Sequence, residues 1–144
     1  MGVWRNIMTA AQNTIKGLSL SGIGNNVVIR TVATERGLTY PVAVLAPQRM
    51  TINPRAGVLG SDDIQYGVLV ALLAADNQST DNTELYTGWI EAIARAFVNK
   101  RLSGVASVHT CEVLPGEAVD RQGWDNMCLV SLQIIRFTSR EDRG

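Results

Sequence analysis

The stretch DIQYGVLVALLAADNQSTDNTELYTGWIEAIARAFVNKRL, residues 63–102, decides the fold because it joins a long strand to a long amphipathic helix. Residues 64–72 are apolar at every second position, and this period of two predicts a strand with one buried face. Leu69, Ala71 and Leu73 make the opposite face apolar as well. We therefore expect both faces to be covered, one by a helix and the other by a second helix or a neighbouring subunit.

The second half of this stretch carries the start and stop signals of a helix. Asp81 can accept hydrogen bonds from the first free amides, and Glu84, three residues later, completes a capping box. Lys100 and then Gly104 mark the end of the helix. The apolar side chains between these signals form one stripe, at Leu85, Trp89, Ile93, Ala96 and Phe97.

The remaining elements are predicted by the same periodicities as one helix and four strands, at residues 3–16, 27–33, 41–46, 107–114 and 127–138. The first two of these strands are close enough in sequence to pair as an antiparallel hairpin. Residues 47–62 contain two prolines and two glycines and predict a long irregular loop. The order α-β-β-β-α-β-β predicts an α+β fold in a single domain over residues 1–144, with a mostly antiparallel sheet and two helices packed on it.

Composition argues against several classes of protein. A hydrophobic content of 46% with 18% charged residues is ordinary for a soluble globular protein with a core. Thirteen basic residues balance thirteen acidic ones, so the chain lacks the excess of positive charge that a dominant grip on nucleic acid or an anionic membrane requires. No apolar run reaches the roughly 18 residues of a membrane helix. We expect a soluble protein without a membrane partner.

The chain offers little catalytic chemistry. His109 lies two residues from Cys111, which in a regular strand puts both side chains on one face, but a Cys–His nucleophile needs direct contact and an orienting third group. With Cys128 these residues give three metal ligands but no C-x-x-C unit, which is a weak metal signal. The G-x-G at Gly22 and Gly24 follows no strand, so it is not a dinucleotide motif. We predict no catalytic site, no metal, no cofactor and two reduced thiols.

The layout of the chain resembles the tail terminator, or tail completion, proteins of long-tailed bacteriophages. The resemblance covers nearly the whole chain: an N-terminal helix with Trp4, an early hairpin, the loop after Pro47, a D-x-x-Y-x-V-x-V strand at 63–70, a W-x-x-x-I helix at 89–93 and a final pair of strands. It implies a structural virion protein whose subunits form a ring, expected to be a hexamer. The ring would cap the tail tube, end tail polymerisation and join the tail to the head.

The resemblance also implies partners and a location. The partners are further copies of the chain, the tail tube protein and a neck or connector protein, with DNA passing through the lumen without sequence-specific binding. The location is the head–tail junction of a virion assembled in the host cytoplasm. Two alternatives stay open: a head–tail connector or neck ring component, and a small cytoplasmic cysteine-dependent enzyme.

Seven residues are predicted to contribute to subunit or partner contacts because of their residue types and expected exposure. They are Arg49 and Arg55 in the long loop, Trp124 and Asp125 in the last loop, and Arg136, Arg140 and Glu141 near the end. For Trp124 two interpretations are equally favoured. The indole is either an exposed contact anchor or folds back over the edge of the sheet.

Overall fold

The computed structural model describes residues 2–31, 39, 41–54, 61–74, 83–98, 100–102, 104–115 and 129–142. These residues form two helices and five strands: α1 Val3–Gly17, β1 Val27–Ile29, β2 Val42–Pro54, β3 Ser61–Leu73, α2 Thr83–Phe97, β4 Val108–Pro115 and β5 Leu129–Asp142. The element order is the predicted one, so the α+β fold class is confirmed. No helix among the described residues is long and apolar enough to cross a lipid bilayer.

The five strands form one sheet in the order β1-β2-β3-β5-β4. β3 lies in the centre and is antiparallel to both neighbours, with Val70 opposite Leu45 of β2 and Val68 opposite Ile135 of β5. β4 is antiparallel to β5. β1 is short and runs parallel to β2, where it pairs with residues 43–45 alone. The sheet is therefore mostly antiparallel, with β1 covering only one end of β2.

Two predictions about β2 are wrong. β1 and β2 pair in parallel and do not form an antiparallel hairpin, because residues 30–41 are long enough for the crossover that parallel strands need. Residues 47–54, predicted to be irregular, continue β2. The pairing with β3 shifts register between Pro47 and Met50, and such a bulge accommodates a proline and breaks the period of two. The broken period is what makes the segment look irregular in the sequence.

Both helices pack on the same face of the sheet, which we call the helix face. α1 contributes the buried side chains Ile7, Met8, Ala10, Ala11 and Ile15. From α2 come Trp89, Ile93 and Phe97, and they join the strand residues Val68, Val70 and Leu72 in one core cluster. Leu85, predicted to lie in the stripe of α2, remains 37% exposed. Asp81 lies outside the described residues, so the capping box stays a prediction.

The opposite face of the sheet, which we call the outer face, has a smaller core of its own. Val42, Val44, Ala71 and Leu73 form this cluster, and none of them is accessible to solvent. The prediction that the strand is apolar and buried on both faces is therefore confirmed at this end of β3, but the expected second-helix cover of the outer face is wrong, because both helices lie on the helix face. Since these side chains are already buried within one chain, this part of the outer face is core and offers no seam to a neighbouring subunit.

Candidate interaction surface

The sheet has two halves that differ in their surroundings. The proximal half is the part described above, buried on both faces. The distal half consists of the four strand segments 48–54, 61–67, 108–112 and 136–142, which the registers place side by side. The helix α1 reaches the boundary between the halves through Trp4, whose ring centroid lies 5.7 Å from that of Tyr66. Its indole Nε1 donates to the carbonyl oxygen of Gly67 at 3.2 Å.

Beyond this boundary, the helix face of β2 is left uncovered. Met50 pairs with Tyr66 and Ile52 pairs with Ile64, so both side chains lie on the helix face. Met50 is 47% exposed and Ile52 is 53% exposed. They are among the few large apolar side chains of the described residues that face solvent, which marks this end of β2 as a contact surface.

On the outer face, the distal half carries a polar patch. A shallow cavity of about 160 Å³ is lined by Gln48, Arg49, Thr51, Gln65 and Arg136. Gly67 lies beneath it, because the bulge brings the backbone of β2 close to this position. A Cβ atom at Gly67 would stand 3.1 Å from the carbonyl oxygen of Arg49 and would also collide with the side-chain oxygen of Gln48. The absence of a side chain at Gly67 thus allows the bulge that presents Gln48 and Arg49.

Acidic groups hold two arginines of the outer face only loosely. Arg136 Nη1 lies 3.9 Å from Glu112 Oε2, and Arg140 Nε lies 3.9 Å from Asp63 Oδ1. Exposed ion pairs of this kind contribute about 0–1 kcal/mol to folding. The arginine side chains are 40% and 54% exposed. They are therefore available for other partners.

His109 belongs to the outer face, and the prediction that it shares a face with Cys111 is wrong. The register between β4 and β5 shifts at Val108 and Thr110, which inserts His109 as an extra residue. The imidazole Nε2 lies 3.7 Å from Asp63 Oδ1. Cys111, by contrast, points into the helix-face core and is 1% exposed. The two residues can form neither a catalytic pair nor a shared metal site, and Cys128 lies outside the described residues.

Burial raises the pKa of the Cys111 thiol to about 11. A thiol with this pKa is almost entirely protonated at neutral pH, and the thiolate is the nucleophilic form. Among the described residues, no group of three or more His, Cys, Asp or Glu side chains is arranged to hold a metal ion.

A second and larger cavity, of about 580 Å³, lies along α1. The described residues that line it are uncharged: Asn6, Thr9, Ala10, Asn13, Thr14, Gly17 and Gly104. Amide and hydroxyl groups of this kind offer hydrogen bonds but no nucleophile, base or metal ligand. The cavity therefore suggests no reaction.

Of the seven predicted contact residues, three lie on the outer face of the distal half. These are Arg49, Arg136 and Arg140. Glu141 lies on the helix face instead, where its Oε2 accepts a hydrogen bond from the Tyr66 hydroxyl at 2.7 Å. Burial first, and then this hydrogen bond and the charge of Glu141, raise the pKa of Tyr66 above its ordinary value.

The other three predicted contact residues, Arg55, Trp124 and Asp125, lie outside the described residues. The contact role of all seven stays a prediction. Sequence reasoning missed Met50 and Ile52 altogether. The alternation of apolar and polar residues from Met50 to Asn53 was a usable signal, but the flanking prolines hid it.

No family profile and no curated protein matches this chain. Among solved structures, the chain is similar to the sheath/tube terminator of an extracellular contractile injection system, PVC, in the extended state. The TM-score is 0.51 at 10% sequence identity, and the match covers 94% of this chain and 56% of that one. The chain thus spans little more than half the length of that terminator. At this identity the two proteins share a fold, and the predicted terminator fold is confirmed at that level.

Proposed function

We propose that the chain is a structural tail terminator whose copies form a ring on the end of a tail tube and stop its growth. The observation that carries this proposal is the fold shared over 94% of the chain with a sheath/tube terminator. The order of elements in the sequence resembles phage tail terminators independently of that match. The resemblance in element order and the structural match therefore support the proposal separately, since the two chains are only 10% identical in sequence.

The surface of the distal half supports a role in assembly. A ring needs two different and complementary surfaces on each subunit. The distal half offers exposed apolar side chains on one face, Met50 and Ile52, and exposed arginines on the other. Arginine and methionine are both enriched in protein interfaces. In this proposal Arg49, Arg136 and Arg140 contact a neighbouring subunit or the tube.

The finer parts of the proposal concern the assembly around the ring. We propose six copies per ring, a phage tail as the location, a tube protein on one side and a neck or connector protein on the other. DNA passes through the lumen without sequence-specific contacts. Arg55, Trp124, Asp125 and Glu141 complete the set of proposed contact residues.

The test is an assay of tail-tube assembly in vitro. Purified protein is added to polymerising tube protein, tube lengths are measured and the tube ends are imaged by electron microscopy. We expect shorter tubes and a ring on the ends. Tubes of unchanged length with bare ends would refute the proposal. A ring that binds the head-side portal complex, and never the tube end, would identify a neck or connector component instead.

A matched pair of variants makes this assay specific. Arg136→Glu alters the polar patch, whereas Arg5→Glu makes the same charge change at an exposed position of α1. We expect Arg136→Glu to restore long tubes and Arg5→Glu to cap them like the parent protein. Equal loss in both variants would indicate a general effect of net charge and not a contact through the patch.

The enzyme alternative predicts a reactive cysteine, and the buried position of Cys111 opposes it. We expect Cys111, in a Cys128→Ser background, to react with a thiol reagent far more slowly in the native protein than after unfolding, because its pKa is raised to about 11. The rates are measured with a chromogenic disulfide at neutral pH. Rapid labelling of the native protein, with loss of an activity, would overturn the structural assignment.

A further inference from the structure

The sheet presents two strand edges that pair with nothing among the described residues. β1 ends at Ile29, opposite Leu45, so no described residue pairs with the far edge of β2 over residues 46–54. On the other side of the sheet, β5 is the one described strand that pairs with β4, so no described residue pairs with the far edge of β4 over residues 108–115. Apart from Pro47, Pro54 and Pro115, which lack an N–H group, such edges present backbone N–H and C=O groups that readily pair with another strand.

The two unpaired edges lie at the same level along the strand direction. One row of paired residues runs across it through Thr51, Gln65, Thr138 and Thr110. A second row runs through Leu45, Val70, Gln133 and Pro115. β4 therefore spans the same rows as the part of β2 that does not pair with β1. If two copies stood side by side, β4 of one would meet the uncovered part of β2 in the other and would stop where β1 begins.

The strand directions also fit. β2 is antiparallel to β3, β3 to β5 and β5 to β4, so β2 and β4 point in opposite directions within one chain. A rotation about an axis parallel to the strands keeps these directions unchanged. Copies related by such a rotation would pair β2 with β4 in the antiparallel manner, which is slightly more stable per residue than the parallel one.

Charges on the two edges are complementary. Arg49 lies beside Gly67 in the polar patch. The row of paired residues through Gly67 continues to Arg136 and then to Glu112. The side chain of Glu112 is 58% exposed. Pairing of the two edges would make the outer faces of the two copies continuous. It would place the Glu112 carboxylate of one copy near Arg49 of the next. On the helix face, the exposed Met50 and Ile52 would gain cover from the neighbouring copy, whose α2 packs on β4.

We propose that a second copy of this chain is the occupant of the uncovered β2 edge: residues 46–54 of one copy pair with residues 108–115 of the next. This inference rests on the proposed ring and specifies its subunit contact. The contact joins two different edges, so every copy can use both of its edges and the assembly can close. Backbone pairing supplies the affinity, while the charges on the outer face select the direction and neighbour.

Cross-linking tests the contact directly. Thr51→Cys and Thr110→Cys are made in a Cys128→Ser background, singly and together, and rings on tube ends are treated with a short bis-maleimide. We expect a dimer from the mixed single variants, a ladder from the double variant, and neither from a single variant alone or from the Cys128→Ser parent. Rings without a ladder would overturn the edge contact and leave the proposed function standing. Absence of rings under all conditions would overturn both.

A charge exchange gives a second test that does not depend on cross-linking. Arg49→Glu and Glu112→Arg each place like charges at the contact, and we expect each to lower ring formation about tenfold or more. The double variant restores opposite charges, and we expect it to recover rings. The control pair Arg5→Glu and Glu91→Arg, at exposed helix positions, should leave ring formation unchanged. A double variant as weak as the single ones, with an unchanged melting temperature, would overturn the contact.

Discussion

The proximal and distal halves of the sheet are built from the same strands but meet different surroundings. In the proximal half, Val70 and Leu72 on the helix face and Ala71 and Leu73 on the outer face are all fully buried. In the distal half, Phe137 is still fully buried on the helix face, but the end of β2 exposes apolar side chains on that face and the outer face exposes arginines. Backbone pairing continues through both halves. The strands therefore extend beyond the part of the sheet that is buried on both faces.

The two halves are expected to contribute unequally to folding. Complete burial of a Val, Leu, Ile or Phe side chain stabilises the folded state by roughly 1.5–3 kcal/mol. Exposed ion pairs such as that of Arg136 with Glu112 contribute about 0–1 kcal/mol. Stability should therefore reside in the buried side chains of the helix face and of the proximal half, and not in the exposed end of β2 or the arginines of the outer face. Substitutions placed on either side of the boundary test this expectation.

Trp89→Ala tests the helix-covered half and should have the largest effect. Trp89 is 2% exposed, and its indole Nε1 donates to the carbonyl oxygen of Ser21 at 2.9 Å. Removal of the ring leaves a cavity and an unsatisfied acceptor, so we expect a loss of about 3–5 kcal/mol in the free energy of unfolding. Urea denaturation followed by circular dichroism measures it.

Leu85→Ala is the matched control on the same helix, because Leu85 is 37% exposed. We expect its cost to be about 1 kcal/mol or less. Similar losses in both variants would mean that depth of burial on α2 does not set stability, and the contrast between the halves would lose its basis.

Gly67→Ala tests the boundary between the halves. The new methyl group would stand 3.1 Å from the carbonyl oxygen and 3.3 Å from the amide nitrogen of Arg49, so the bulged backbone of β2 must move. We expect a loss of about 1–3 kcal/mol, the usual cost of overpacking. Denaturant unfolding measures it, with Gly88→Ala on α2 as the control, because nothing lies within 4 Å of a Cβ there. A neutral Gly67→Ala would show that the bulge does not require a glycine at this position.

The helices and most of the strands could be predicted from the sequence, but the continuation of β2 and the bulges of the distal half could not. The helix stripe of Trp89, Ile93 and Phe97 and the two-sided strand with Ala71 and Leu73 are strong periodic signals that tertiary packing preserves. In the distal half, a bulge after Pro47 breaks the period of two, and a second bulge turns His109 to the other face. Bulges depend on pairing with a distant strand, so a local pattern does not reveal them.

The candidate site shows the same division. Residue type and expected exposure led to the prediction of Arg49, Arg136 and Arg140, but the sequence did not show that they would share one face. Glu141 is separated from them because successive residues of a strand alternate between faces. Adjacent positions in sequence, such as Arg140 and Glu141, therefore belong to different surfaces. Only the register of β5 against β3 assigns each side chain to its face.

Tyr66→Phe tests the distal helix face with a smaller change. It removes the hydroxyl that donates to Glu141 Oε2 at 2.7 Å but keeps the ring beside Trp4. We expect a loss of about 1 kcal/mol at neutral pH, since the carboxylate of Glu141 is half-buried and can recruit water. A thermal melt compares Tyr66→Phe with Glu141→Gln and with the double variant. Additive losses in the double variant would show that the two groups are not coupled.

The smallest effect on folding is expected where the effect on assembly is largest. The double substitution Met50→Ser and Ile52→Ser removes two apolar side chains that are 47% and 53% exposed, so it should change the free energy of unfolding by no more than about 0.5 kcal/mol. The same change at the fully buried Val44 should cost several times more, because a hydroxyl would enter an apolar cluster. Denaturant unfolding and ring formation on tube ends are measured on the same samples. A stable Met50→Ser/Ile52→Ser protein that fails to form rings would show that the exposed end of β2 serves assembly and not folding. A destabilised one would show that the exposed end of β2 contributes to the folding core after all.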